Sequence, residues 1–383
     1  MGVVALKQSP LAKLVAQRSS REAIEAFVAE NSFPHIVDDF VTFLFRGEAD
    51  QVEIRHWVYG LPSSIPMQRI PDTDLWLRVV QFPDNSRIEY KFGVIQNGNE
   101  KWTRDPLNSN IAHDPFGGNS VVHCRGYDTP DWIQAGIARK TGDVDQWDLE
   151  SAAFGDRRQL SVYLPHNYRN YRRYRLLIVH DGDDYIRFSS LRNVLDNLIE
   201  RLEIPPLVVA FTNPVDRLKE YANDPRHAKH IVEELLPELE ERYSLIGEAS
   251  GRCLMGASFG GVASLSTAWR YPNTFDSLLL QSGSFAFTDI GDHQRSRVFD
   301  PVVEFMNAFR DEPGEFTKRA FLSCGVYESL IYENRSMIPF LQSAGITTKF
   351  VESRDGHNWE NWRDRLRDGL TWLFEGPLWV TYL

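Results

Sequence analysis

Gly251-Arg252-Cys253-Leu254-Met255-Gly256-Ala257-Ser258-Phe259-Gly260-Gly261-Val262-Ala263-Ser264-Leu265 decides how this chain is read. Cys253 to Met255 is a short apolar run of strand character, and the segment from Val262 to Trp269 is helical. The pentapeptide Gly256 to Gly260, of the form G-x-S-x-G, therefore stands at a strand-to-helix turn. Small residues on both sides of Ser258 permit a strained turn that pushes the hydroxyl out at the top of a sheet. The helix that follows directs the positive end of its dipole at the same point. The bland alternative is a glycine-rich turn in an ordinary α/β protein. A strand before and a helix after favour a nucleophile.

Outward from this turn the chain alternates buried strands and helices. QLSVYLP at 159–165, RLLIVH at 175–180, PLVVAFTN at 206–213, SLLLQSGS at 277–284, RAFLSCG at 319–325 and TKFVES at 348–353 have strand character. SLRNVLDNLIERL at 190–202, HIVEELLPELEERY at 230–243, IPFLQSAG at 338–345 and WRDRLRDGLTWLF at 362–374 are helical. Such alternation implies a mostly parallel sheet with flanking helices.

A nucleophilic serine needs a base, and a turn of this kind takes its partners in the order serine, acid, histidine. Two histidines follow Ser258, His293 and His357. His293 lies in the polar insertion DIGDHQRSR with no strand directly before it, whereas His357 lies between TKFVES and the final helix. His357 is the expected base. Glu328, three residues past the strand that ends at Gly325, is the expected acid, with Glu333 and Asp355 as competitors. Asp355 is two residues from His357, a poor position from which to orient the imidazole. The oxyanion donors are expected to be the backbone N–H of Phe259 and that of Asp183, in the turn His180-Asp181-Gly182-Asp183-Asp184. Asp181, Asp183 and Asp184 are weak as a metal cluster, and this chemistry needs neither metal nor cofactor.

The N-terminal part has a different rhythm. Leu11, Leu14, Val15, Ile24, Phe27 and Val28 are at helical spacing, with Ser19 or Ser20 as a cap between two short helices. VTFLF at 41–45, VEIRHWVYG at 52–60, LWLRVVQF at 75–82, IEYKFGVI at 88–95 and SVVHC at 120–124 are short strands separated by turns, as in a β-sandwich. The expected division is 1–35 helical, 36–130 β-sandwich, 131–155 polar connector and 156–383 α/β domain.

Bulk properties exclude several classes. With 383 residues the chain suits two domains. Its net charge of −11 disfavours a nucleic-acid partner. Cys124, Cys253 and Cys324 are widely separated and imply reduced thiols. The N-terminus has no apolar run followed by a cleavage site, Leu6 breaks the myristoylation pattern, and no stretch is long enough to span a membrane. A cytoplasmic protein acting on a small-molecule ester, without a membrane partner, is the expectation.

At this point the residues resemble those of the enterochelin (enterobactin) esterases, within the esterase-D-like branch of the α/β-hydrolases. The likeness rests on Met67-Gln68-Arg69-Ile70-Pro71, Thr73-Asp74-Leu75-Trp76 and Asp105-Pro106-Leu107-Asn108 in the first domain. In the second it rests on His180-Asp181-Gly182, the Arg217 and Glu220 pair, GASFGG at 256–261, QSGS at 281–284 and GHNWENW at 356–362. The resemblance implies an immunoglobulin-like β-sandwich ahead of an α/β-hydrolase domain, and hydrolysis of a ferric-siderophore trilactone. Arg187, Arg217, Arg226, His227 and Trp359 become candidate substrate contacts, with an Arg217–Glu220 ion pair as the structural alternative. Two departures bear on catecholate specificity: a shorter link from Trp76 to Asp105, and Glu220-Tyr221-Ala222 in place of Glu-Leu-Pro. An esterase of acetylated or feruloylated sugars, with Trp57 or Trp102 stacking on glycan, is the second reading. A non-catalytic binding protein on a hydrolase fold is the third.

Overall fold

The computed structural model describes residues 9–288 and 293–375. Expectations resting on residues 1–8, including Leu6, and on the first part of the 289–297 insertion lie outside the described residues. The chain divides into two compact units. The first comprises the chain up to Thr129 together with Gly325–Ser329 and Ser353–Asn358, and the second comprises the remainder.

In the first unit, helices Pro10–Ala16 and Arg21–Glu30 come first, and the Ser20 side chain accepts from the Ala23 N–H to cap the second. Ten strands follow: β1 His35–Val37, β2 Phe40–Arg46, β3 Gln51–His56, β4 Ser64–Pro66, β5 Gln68–Arg69, β6 Leu75–Gln81, β7 Arg87–Gln96, β8 Asn99–Thr103, β9 Ile111–Asp114 and β10 Gly117–His123. They form two antiparallel sheets, β1-β2-β6-β5 and β4-β3-β7-β10-β9, with β8 added to β7. Strand β2 shows why both of its faces are apolar. Val41, Phe43 and Phe45 join Ile54, Tyr90 and Phe92 in a core between the sheets. Phe40 and Leu44, on the opposite face, pack with Leu11 and Ile24 of the helices.

In the second unit the strands are β11 Asp143–Ser151, β12 Asp156–Leu164, β13 Arg175–His180, β14 Leu207–Thr212, β15 Arg252–Ala257, β16 Ser277–Gln281, β17 Arg319–Gly325 and β18 Thr347–Ser353. They form one sheet in the order β11-β12-β14-β13-β15-β16-β17-β18. The run from β14 through β13, β15 and β16 to β17 is parallel, and β12 joins antiparallel to β11 and β14. Alternate residues serve the two faces: Leu254, Leu278, Leu280 and Leu322 pack against one layer of helices, and Cys253, Met255, Leu279 and Phe321 against the other. This is an α/β-hydrolase fold preceded by an antiparallel β domain.

The expected connector is corrected here. Residues 143–151 pair along their whole length with β12 as an edge strand. Trp147 and Leu149 are half-buried, while Asp145, Asp148 and Glu150 face solvent. A strand with one wet face has a polar composition, and that concealed it. Several helices also escaped the sequence reading, among them Gly182–Phe188 and Asp300–Asp311. The first overlaps the expected turn His180–Asp184, and the second buries Val302, Phe305, Met306 and Phe309 at helical spacing. Among the described residues no helix is long and apolar enough to cross a membrane, and all three cysteines are buried and outside any disulfide.

Candidate active site

Strand β15 ends at Ala257, and helix Phe259–Arg270 begins one residue later, so Ser258 alone must turn the chain. It does so at φ 57° and ψ −120°, a conformation an L-residue adopts only under constraint. The glycines around it are steric requirements. A Cβ at Gly256 would lie 2.2 Å from the Gly260 carbonyl oxygen, and one at Gly261 would lie 3.2 Å from Gly283 Cα. Four-point backbone bonding holds the turn. Ser258 N–H donates to the Gln281 carbonyl at 2.9 Å, and the Ser258 carbonyl accepts from Gly261, Val262 and Ser284 at 3.1, 3.4 and 3.1 Å. Phe259 opens the helix, so its N–H belongs to the first turn, whose donors have no intrahelical acceptor.

The QSGS segment braces this turn from β16. Tyr185 donates its hydroxyl to Gln281 Oε1 at 2.8 Å, Gln281 Nε2 donates to the Trp362 carbonyl at 2.8 Å, and Trp362 Nε1 donates to Ser282 Oγ at 2.9 Å. Ser284 Oγ stands 3.2 Å from Ser258 Oγ, a neighbour of the nucleophile candidate that sequence reasoning did not single out.

Behind the turn lies a pair of buried histidines that the sequence did not bring together, and His227, expected as a substrate contact, is one of them. His180 Nδ1 is 3.0 Å from the Met255 carbonyl, and its Nε2 is 2.9 Å from His227 Nε2. Burial pushes His180 down to about 4 and His227 well below its ordinary value. Both rings are therefore neutral, with His180 Nδ1–H donating to Met255 and His227 Nε2–H donating to His180. The motif His-Asp-Gly gave one partner, but nothing in sequence linked His180 to a residue 47 positions on.

Glu328 and His357 lie in the two loops that continue β17 and β18. The loops run side by side: Val326 N–H donates to the Ser353 carbonyl at 2.8 Å, and Tyr327 N–H to the Asp355 carbonyl at 3.1 Å. His357 Nδ1 is 2.7 Å from Glu328 Oε2, and Glu328 Oε1 accepts from Gly325 N–H at 2.7 Å. The carboxylate is buried, while the imidazole side chain is 38% exposed. The two competitors are engaged elsewhere. Glu333 pairs with Arg295, and Asp355 with Arg87 at 3.1 Å. His293 pairs with Asp300 at 2.8 Å.

A strained serine at a strand-to-helix turn and a carboxylate-oriented imidazole are the parts of an acyl-transfer enzyme. Residues 151–373, more than half of the chain, match the "Putative esterase" family. The chain belongs to this esterase family. Over 379 residues it is 24% identical to the iron(III) enterobactin esterase of Escherichia coli O6:H1 strain CFT073, spanning 88% of this chain and 91% of that protein. It is 30% identical over 154 residues to the uncharacterized protein YjcH of Bacillus subtilis, spanning 38% of this chain and 64% of that protein. The crystal structure of ferric enterobactin esterase from Salmonella typhimurium has the same fold, with a TM-score of 0.72 at 21% identity over 87% of this chain and 93% of that one.

The other expected contacts of the esterase fall out differently. Arg217 does not pair with Glu220. It grips Asp181 through Nε at 2.9 and 3.0 Å and Nη2 at 2.8 Å, and Nη2 also reaches the Ala257 carbonyl at 3.3 Å. Glu220 is taken by Arg158 at 2.7 Å. Arg217 thus ties the His180-Asp181-Gly182 turn to the residue preceding Ser258. Asp183 N–H donates to Asn213 Oδ1 at 3.1 Å, so its use as an oxyanion donor requires the Asn213 carboxamide to turn away. Arg226 is exposed and paired with Asp224 at 2.6 Å, and Arg187 is exposed with its guanidinium against the Phe188 ring. Trp359 is a core residue, 8% exposed and packed on Tyr185, Phe188 and Trp362. A large aromatic next to a motif histidine is more often core than contact.

Proposed function

We propose that this esterase hydrolyses carboxylic esters through Ser258 as nucleophile, His357 as general base and Glu328 as the acid that orients the imidazole. The observation that carries the reading is the 2.7 Å bond between His357 Nδ1 and Glu328 Oε2. It fixes Nδ1–H toward the carboxylate and leaves Nε2 unprotonated to receive a proton. Supporting it, β15, β16 and β17 are parallel, so the serine turn and the glutamate loop leave the same edge of the sheet.

Ser258 Oγ attacks the ester carbonyl and gives its proton to His357 Nε2. The tetrahedral oxyanion is held by Phe259 N–H, joined by Asp183 N–H once Asn213 turns away. Collapse expels the alcohol, which takes the proton from the imidazolium, and leaves an acyl-Ser258. Water then repeats the cycle from the other side, with His357 again accepting and returning the proton.

For the substrate we favour a ferric catecholate trilactone, cleaved in the cytoplasm. Its support is the near full-length similarity to a protein named for iron(III) enterobactin. The test is a panel of enterobactin, acetylated xylo-oligosaccharides, feruloyl esters and short p-nitrophenyl esters, run on wild type and Ser258→Ala. The variant should lose turnover of every substrate by ~10⁴-fold or more, and fluorophosphonate should label only the wild type. Wild-type turnover by Ser258→Ala would end the nucleophile assignment. Selective turnover of the sugar esters would end the siderophore assignment alone.

A further inference from the structure

We infer that Arg87, the first residue of β7, and Ser86 just before it hold the acid–base pair in register, with Arg87 as a positioning residue for His357. The inference rests on the roles proposed above for His357 and Glu328. Both of their loops, Gly325–Ser329 and Ser353–Asn358, group with the β domain rather than with the sheet from which they emerge.

The contacts explain that grouping. The Arg87 side chain is completely buried. Its backbone N–H donates to the Arg354 carbonyl at 2.9 Å. Nη1 donates to Asp355 Oδ1 and Oδ2 at 3.1 and 3.2 Å and to Asn358 Oδ1 at 2.9 Å, and Nη2 donates to Glu89 Oε1 at 2.8 Å. Asp355 accepts further from Gly356 N–H at 2.7 Å and from Asn358 Nδ2 at 2.8 Å. Residues 354, 355, 356 and 358 are therefore fixed on both sides of His357, and one guanidinium is the hub. The acid loop is held from the same place. Ser86 Oγ is 2.6 Å from Tyr327 Oη, and the Tyr59 N–H donates to the Tyr327 carbonyl at 2.8 Å, one residue before Glu328.

A buried arginine among carboxylates contributes little net stability, because desolvation offsets the attraction. What it supplies is geometry. The planar fork engages Asp355 and Asn358 through Nη1 and Glu89 through Nη2 at once, which a lysine ammonium on a flexible stem cannot reproduce. A base displaced by about 1 Å loses about 10²-fold in rate. The β domain thus sets the geometry of the acid–base pair.

The test is a kinetic cycle on the full chain with a p-nitrophenyl ester. Arg87→Lys keeps the charge, so Asp355 stays paired, and kcat should fall ~10²-fold with KM changed by less than about 2-fold. Arg87→Lys combined with His357→Ala should be no slower than His357→Ala alone, because both changes act through the same imidazole. Multiplying losses in the double variant, or a folded Arg87→Lys with wild-type kcat, overturns the inference. Should Arg87→Lys fail to fold, Asn358→Ala and Tyr327→Phe carry the test, each expected to lose about 10-fold in kcat and to be silent in the His357→Ala background. Full activity of His357→Ala by itself would instead sink the proposed function.

Discussion

Replacing Glu328 by glutamine keeps the shape of the acid and removes its charge, which isolates what the carboxylate does for His357. In the ground state both residues are held, and the charge matters when the imidazole becomes an imidazolium. Two unit charges 2.7 Å apart at an effective dielectric of about 20 attract by about 6 kcal/mol. The imidazole is 38% exposed, and solvent screening of that order removes roughly half, leaving about 3 kcal/mol, or ~10²-fold in kcat. A carboxamide that turns its NH₂ toward Nδ1 would also fix the wrong tautomer, taking the loss toward ~10⁴-fold. The assay is steady-state hydrolysis of p-nitrophenyl butyrate across substrate concentration. The loss should appear in kcat, because the interaction strengthens only in the transition state. Glu333→Gln, which removes a partner of Arg295, should stay within about 3-fold of wild type. A Glu328→Gln enzyme within about 3-fold of wild type, or a larger loss in Glu333→Gln, would refute the reasoning.

Two further outcomes follow from packing and burial. Gly256→Ala places a Cβ 2.2 Å from the Gly260 carbonyl oxygen, backbone against backbone, so it should lose about 3 kcal/mol or more of stability, read from the urea midpoint. In the β domain, Asp105 is buried and accepts from the Tyr90 hydroxyl at 2.6 Å; burial pushes its carboxyl up from 3.8 to about 6. Between those values the folded chain binds the proton that the unfolded chain releases, so this residue's contribution to stability falls as pH rises through the window, by about 3 kcal/mol in all. Asp105→Asn should remove that slope, measured as the wild-type-minus-variant difference in unfolding free energy at pH 4 and pH 7. An unchanged difference across the window would contradict the assignment.

The placement of the candidate acid shows where the sequence stopped. Glu328, Glu333 and Asp355 were all eligible, since each follows β17 or β18 closely and proximity along the chain does not fix direction in space. Folding gave Glu333 to Arg295 and Asp355 to Arg87, and brought Glu328 to the imidazole. Arg217 failed in the opposite sense. The expected pair with Glu220, three residues away, does not form: that helix has only four residues, Arg158 takes Glu220, and Asp181 offers both oxygens across the sheet end. Trp359, a candidate substrate contact, is core because the helix Trp359–Asp364 turns it onto Tyr185 and Phe188.

What the amino-acid order determined by itself was local: a glycine-bounded serine between a strand and a helix, the alternation of buried strands and helices, and a β-rich region ahead of them. These features depend on steric limits and periodicities that act within about ten residues. What only the tertiary structure decided was long-range pairing: His180 with His227, Arg217 with Asp181, and above all Arg87 with Asp355, 268 residues apart. Buried charges choose partners by which surfaces the packed core brings together, and no spacing along the chain records that choice.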